Sequence, residues 1–404
     1  MSGADYQILV RDLSTLEVVG EVPVYRNMTW QRRDLEAGSF SLTVPRQRLV
    51  TRRVYDADEE EWSETSAEES YGDLIALGRL IEVRRDDGDG NECEFAGVIT
   101  DRALDAIRDQ WTLTGPDLKG WFLERRIVGA TVEETVAATA GETAMKGYVD
   151  DHGGTSGHPF AGELDVDWDI EADTARGPDV DFTALRRNLL REVLVPIGRQ
   201  SDLWHDVVIV EDGTPGYEYR VYEQTDATLD TGAIPFSVSW DNVAAMTYRE
   251  SIRGVANDLT VLGDGSGDSR TTRNVTDTSH INAHGRTEGL LDARDATTND
   301  EIDEQGATAI ADGIREAVQV TAEPLQAGVG SVYRRDWDIG RVVTVAIADE
   351  AISADRLIVG VEVVLESSGG RPDERVRMFL GDAEQTLPRV LARQLQARNR
   401  ASYE

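Results

Sequence analysis

The chain has 404 residues, enough for two or three cores, and carries 76 acidic against 41 basic residues, a formal charge of −35. One cysteine, Cys93, excludes an intramolecular disulfide or a cysteine-built metal cage, and no apolar run approaches the roughly 18 residues of a membrane-spanning helix. Only two basic residues are lysines, Lys119 and Lys146. Such a charge strains a compact fold by self-repulsion unless molar salt shortens the Debye length to ~3 Å, so the composition reads as halophilic.

In chain order, Tyr6–Val10 is strand-like and follows no charged-then-apolar leader, as in a protein made in a cytoplasm. Phe40, Leu42 and Val44 alternate with Ser39, Ser41 and Thr43, the pattern of a strand with one buried face. Residues 56–73 hold nine acidic side chains around Trp62 and Tyr71. This reads as a solvated loop whose aromatics would anchor a neighbouring chain. Strands over 79–85 and 92–100 flank the turn Asp86–Asn91, and Trp111–Gly115 forms another strand. Residues 120–235 differ in character. Glu142–Asp151 reads as a helix, 152–180 as an irregular loop, and Asp181 as the N-cap of a helix ending before Pro196. A hairpin of Trp204–Val210 and Tyr217–Tyr222 follows. Further on, Asn299–Val318 has helical spacing, while Leu357–Leu365 and Val376–Leu380 alternate as strands. After Pro388 the tail turns basic, with Arg389, Arg393, Arg398 and Arg400 on a helical pattern suited to an acidic partner.

Two distant stretches share one grammar. Met28-Thr29-Trp30, Leu42-Thr43-Val44, Gly78–Val83 and Gly97-Val98 are matched in order by Met246-Thr247-Tyr248, Leu259-Thr260-Val261, Gly340–Val345 and Gly360-Val361. This order implies a duplicated β domain. The expected fold is mainly β with α+β insertions. Residues 1–120 form a first β-barrel, 121–235 an inserted α+β domain, and 236–388 a second barrel with a helical insertion at about 265–325. Residues 389–404 form the basic tail.

Catalytic signals are absent. His280 and His284 have zinc-compatible i, i+4 spacing, yet the glutamate of the metalloprotease pattern is replaced by Ile281, and the flanking residues favour a loop or strand end. Asp87–Asn91 begins like a calcium loop but puts Glu92 where that loop needs glycine, so a hairpin turn is expected. There is no Gly-x-Ser-x-Gly turn, and the many carboxylates single out no pair. The chain is expected to be no enzyme, with no catalytic residue, cofactor or metal.

The chain resembles the tail-hub or baseplate-hub proteins of long-tailed viruses, including the N-terminal structural part of tail-associated lysins. The carriers are Gly78–Val83 with Phe95–Thr100, Trp111–Gly115 followed by Leu123–Arg126, and Gly141–Val149. Leu262–Gly265 and above all Tyr333–Gly340 add to these. The resemblance implies two tube-protein-like antiparallel barrels in a homotrimer with pseudo-six-fold symmetry, joining the tail tube to the tail tip of a virus of a halophilic, archaeal host. It implies as partners the tail tube ring, the distal tail and tape-measure proteins, and fibre or receptor-binding proteins, with DNA passing the lumen without specific binding and no membrane span. Trp62, Tyr71, Trp337, Arg389, Arg393 and Arg398 are the candidate contacts. Two other readings stay open. One is a virion-borne carbohydrate-binding or glycoside-hydrolysing tail protein using aromatics such as Trp62 and Trp168. The other is a hexameric tail-tube or adhesin subunit.

Overall fold

The structure is a computed structural model. It describes residues 5–381 apart from 57–60, 87–90, 125–132, 154–163, 165, 186–188, 212–214, 230–234, 266–269, 295, 297, 317, 327–330, 348–351 and 369–370. The chain divides into two compact units, residues 1–243 with 323–378 and residues 244–322 with 379–404. The basic tail, with Arg389, Arg393 and Arg398, lies outside the described residues.

In the first unit the alternating segments become strands. They are β1 (Asp5–Arg11), β2 (Val18–Glu21), β3 (Asn27–Arg33), β4 (Ser39–Pro45), β5 (Gln47–Asp56), β6 (Glu61–Ser70), β7 (Leu80–Asp86), β8 (Asn91–Val98), β9 (Asp101–Asp105) and β10 (Gln110–Pro116). β2-β1-β7-β8 form one sheet, and β3-β4-β10-β9 lie side by side in another. β4 buries Phe40, Leu42 and Val44, as its period of two requires. The acidic run expected as a loop instead contributes β6, which pairs antiparallel with β5. Its register sets Glu69 opposite Arg48 and Glu64 opposite Arg53.

The inserted segment holds β11 (Glu133–Ala140), β12 (Asp167–Ile170), β13 (Asp179–Leu185), β14 (Leu203–Val210), β15 (Gly216–Glu223) and the short β16 (Thr225–Asp226). Helices span Gly141–Gly153 and Leu190–Ser201. The helix expected from Asp181 is therefore a strand followed by a helix. Val180, Phe182 and Ala184 share one face and pair with β11, and the helix begins only at Leu190 and runs through Pro196. Proline there removes the hydrogen bond to Glu192, whose own side chain reaches back to the Leu189 N–H and caps the start. The segment expected to be irregular contains β12, parallel to β15. Leu80, Val98, Leu118 and Phe122 share one core with Met145, Tyr148, Leu194 and Tyr217 of the insertion.

Both lysines are interior. The Lys119 ammonium donates to the carbonyls of Arg33, Asp34 and His205 at 2.8, 3.2 and 3.1 Å. The Lys146 ammonium donates to Glu142, Glu171 and the carbonyl of Ala172 at 2.6, 3.2 and 3.0 Å. Each uses all three of its donors, so burial leaves no N–H unpaired. Burial alone would raise the Glu142 carboxyl, but bonds from Arg176 and Lys146 reverse this and hold it well below the usual carboxylate range.

In the second unit come β17 (Val243–Glu250), β18 (Asp258–Leu262), β19 (Thr272–Thr276), β20 (Glu288–Asp292), the helix Asn299–Glu316 and β21 (Val318–Pro324). β18 sits between β19 and β20 under that helix, with Leu259, Val261, Ile302 and Ile310 in a core of their own. Thr298 and Glu301 form the helix's capping box. Back in the first unit the chain adds β22 (Arg341–Ile347), β23 (Ile352–Ser368) and β24 (Arg371–Leu380).

The matched stretches hold in part. Gly78 and Gly340 both adopt a left-handed φ, +82° and +81°, ahead of a strand. Their N–H groups donate to the carbonyls of Ile99 and Ile358 in the returning strand, each at 2.9 Å. This sets Ile99 in the place of Ile358, so Gly97 and Gly360 do not correspond. Gly97 lies opposite Ile81, whereas Gly360 lies opposite Arg33 of β3. Nor does Leu259–Val261 correspond to Leu42–Val44. The strand beside β17 is β21, as β4 is beside β3, and β18 belongs to a separate three-stranded sheet. The closed barrels expected within one chain are also not formed. Among the described residues every sheet has two end strands and none closes on itself.

Candidate assembly surface

β3 carries Arg32 inward, and three elements of the first unit converge on it. The Arg32 guanidinium donates to the Tyr333 hydroxyl at 2.9 Å and pairs with Asp338 at 3.1 Å. The Tyr333 hydroxyl donates to Glu94 of β8 at 2.6 Å. Arg334 pairs with Glu94 and with Asp338, both at 2.8 Å. Tyr333–Gly340, the most specific carrier of the resemblance, is therefore a clamp of two guanidiniums and two carboxylates. Arg334 pays for its place with a left-handed φ of +68°. Trp337 lies beneath the clamp at 1% exposure, its indole N–H donating to the Ser331 carbonyl at 2.9 Å. Its ring packs against Tyr333, with centroids 5.1 Å apart. Tyr71 is likewise a core residue at 0% exposure, with its hydroxyl 3.2 Å from the Val24 carbonyl. Both aromatics are therefore buried and not exposed contacts. Of Trp62 only the backbone is described, in β6 opposite Tyr55. Trp168 is buried 5.0 Å from Phe122, so it offers no exposed platform to a sugar.

The side chains that do reach outward are others. β9 is exposed on both faces, with Leu104 open to solvent, and the turn after it presents Ile107 at 97% exposure. Asp105 shapes that turn by accepting the N–H groups of Ile107 and Arg108, each at 2.9 Å. These bonds, that of Arg108 first, lower its carboxyl below the usual range. Arg102 of β9 lies over the Trp111 ring at 5.4 Å. A one-turn helix over Val238–Trp240, held by the Ser237 side chain, exposes Trp240 at 61%. β17, in the second unit, is exposed along most of its length. Isolated apolar residues inside polar turns were the only sequence signal for Ile107 and Trp240, too sparse to single them out.

The histidine pair lies on a helix, Thr278–His284, with ring centroids 4.5 Å apart. Asn257 accepts the Thr287 N–H and donates to the Gly285 carbonyl, both at 2.7 Å, which orients its amide. Its NH2 therefore also donates to His280 Nδ1 at 3.1 Å. Among the described residues no group of three or more His, Cys, Asp or Glu is placed to hold a metal ion. A cleft of about 890 Å³ in the first unit is lined by Arg84, Glu94, Trp204, Arg220 and Arg334 among others. Arg84, Glu94, Arg220 and Arg334 are engaged in ion pairs within the chain, and Trp204 is stacked on Tyr222 with centroids 4.2 Å apart.

The family described as siphovirus ReqiPepy6 Gp37-like protein matches residues 7–378. The 43 kDa tail protein of prophage MuSo2 from Shewanella oneidensis is similar at a TM-score of 0.55 and 14% identity, covering 93% of this chain and 98% of that one. A tail protein from Neisseria meningitidis MC58 is similar at 0.55 and 16% identity, covering 94% and 97%. No curated protein matches. With a match that begins in β1 and ends in β24, the chain belongs to the siphovirus ReqiPepy6 Gp37-like family and has the fold of phage tail proteins.

Proposed function

We infer that this tail protein is a structural hub, three copies of which form a pseudo-six-fold ring joining the tail tube to the tail tip and enclosing the DNA exit channel. One observation carries the reading. β3 beside β4 with β10 beside β9 has a second version in β17 beside β21 with β24 beside β23, each preceded or accompanied by a glycine-led hairpin. Two like strand sets per chain let three chains present six similar faces to a six-fold ring. The two barrel-like halves would then complete themselves only in the assembly. The tube ring, the distal tail and tape-measure proteins, and fibre or receptor-binding proteins are its proposed neighbours, with Trp62, Arg389, Arg393 and Arg398 supplying contacts. The acidic composition suits DNA passage, because like charge on wall and phosphate avoids the contacts that retain DNA. The protein acts without catalysis. Mass photometry of the purified chain in molar KCl is expected to give a particle of three chains, and class averages of that particle six similar lobes. A six-chain particle would instead favour the tube or adhesin reading, and release of sugar from host envelopes the glycosidase reading.

A high-salt host is part of the same proposal. With its only lysines buried, the exposed basic groups are mainly arginines outnumbered by carboxylates. Raising KCl from about 0.1 M to about 2 M, where the Debye length drops well below ~10 Å, is expected to raise Tm by about 4 °C, equivalent to ~3 kcal/mol. Sucrose at equal osmolality should not reproduce this. A flat Tm across the salt range would remove the halophilic reading.

A further inference from the structure

In the first unit, β23 lies antiparallel to β3, with Gly360 opposite Arg33, Val361 opposite Arg32, Glu362 opposite Gln31 and Val363 opposite Trp30. The last strand of the second strand set therefore pairs with the first strand of the first set. Gln31 donates to Glu362 across this seam at 2.6 Å, and Trp30 and Val363 are both buried beside it. Two strands stand in the corresponding places without such a partner. β9 pairs only with β10, and β17 only with β21, so among the described residues each has a free edge. The paired glycines Gly78 and Gly340, with their bonds to Ile99 and Ile358, place Asp101–Asp105 in the position of Gly360–Val364. Met246-Thr247-Tyr248 in β17 matches Met28-Thr29-Trp30 in β3.

We propose that β9 of one copy pairs antiparallel with β17 of a second copy, repeating the seam between β23 and β3, in the register Arg102 opposite Glu250, Ala103 opposite Arg249 and Leu104 opposite Tyr248. This deepens the ring reading and rests on it. The register is chemically selective. On one face Arg102 meets Glu250 and Leu104 meets Tyr248, as Val363 meets Trp30 within the chain. On the other face Arg249 stands diagonally between Asp101 and Asp105. A slip of one residue in one direction sets Arg102 opposite Arg249 and Asp101 opposite Glu250, two like-charge pairs, and a slip in either direction turns every side chain to the wrong face. The pairing covers a strand whose residues Asp101–Leu104 are now exposed on both faces, and gives its unpaired backbone groups partners. Because each copy offers β9 and receives on β17, the contact is head-to-tail, the class that generates a ring where its rotation closes.

The test is disulfide trapping in the full chain assembled in molar KCl. Cys93 can stay. Burial first, and the nearby Glu82 next, push its thiol far above the usual range, so it competes poorly. Ala103→Cys with Arg249→Cys is expected to give covalent dimers and a closed covalent trimer on oxidation, while Leu104→Cys with Arg249→Cys, one residue out of register, gives little. In parallel, Arg102→Glu and Glu250→Arg are each expected to weaken assembly about tenfold, the equivalent of ~1.4 kcal/mol, and the double swap to restore it. If wild type forms the trimer but the in-register pair does not cross-link, or the swap gives no rescue, the seam is wrong and the ring stands. If wild type stays monomeric at every concentration, both fall.

Discussion

Replacing Glu94 by glutamine is expected to lower stability by about 1–3 kcal/mol, the cost of removing a buried charged acceptor from partners that still face it. Glu94 is 5% exposed and faces the guanidinium of Arg334 and the hydroxyl of Tyr333. Neutralising it leaves Arg32 and Arg334 to share Asp338, one carboxylate for two guanidiniums, with Arg32 buried and Arg334 reaching solvent. The amide also brings an NH2 toward groups that are mostly donors. Urea denaturation followed by tryptophan fluorescence, at fixed high KCl, reads the effect as a shift in midpoint at unchanged slope. Adding Arg334→Met should recover part of the loss, because the unpaired cation is removed. A Glu94→Gln midpoint within about 0.5 kcal/mol of wild type, the range of an ordinary surface exchange, would show that the clamp is solvated and holds nothing together.

The clamp illustrates what could be read in the sequence. Tyr333–Gly340 is legible as a distinctive string, since so many charged and aromatic residues seldom fall together by chance, but its role is not. Arg32 and Glu94 lie 301 and 239 residues from Tyr333, and nothing local announces their meeting. Strands with one buried face, such as β4 and β24, are legible because a period of two survives in composition. β13 reads as helix because Phe182, Leu185 and Leu189 also satisfy helical spacing. Pairing with β11, a partner about 40–50 residues away, decides for a strand. β6 reads as a loop because of its acidity, whereas its pairing with β5 is not local information. The assembly surface was the least legible part. The large aromatics that attract attention, Tyr71 and Trp337, went to the core, where their area is best used. The outward residues Ile107 and Trp240 sit in short turns with no pattern around them. Strand pairing also corrected the internal match, since two of its four elements depended on short triplets common in any β protein.

The strongest surviving match, Gly78 with Gly340, makes a prediction that separates backbone from packing. Both residues hold a φ near +80° that an L side chain adopts at a penalty of ~1–2 kcal/mol. A β-carbon at Gly78 would meet no heavy atom within 4 Å. Gly78→Ala is therefore expected to lower stability by that backbone penalty alone. At Gly340 the β-carbon would lie 2.3 Å from Nε1 and 2.6 Å from Cδ1 of Trp204. Trp204 cannot swing aside, for its ring is stacked on Tyr222 at 4.2 Å and 19°. Gly340→Ala should therefore carry an overpacking penalty of about 1–3 kcal/mol on top of the backbone one. The double-mutant cycle isolates this second part. In a Trp204→Ala background the clash is gone, so the additional cost of Gly340→Ala should shrink to that of Gly78→Ala. Equal losses for the two glycines in the wild-type background would mean that Trp204 yields freely. A Gly340→Ala loss unchanged by Trp204→Ala would mean that the penalty arises in the backbone of the hairpin, where the Gly340 N–H must still reach the Ile358 carbonyl.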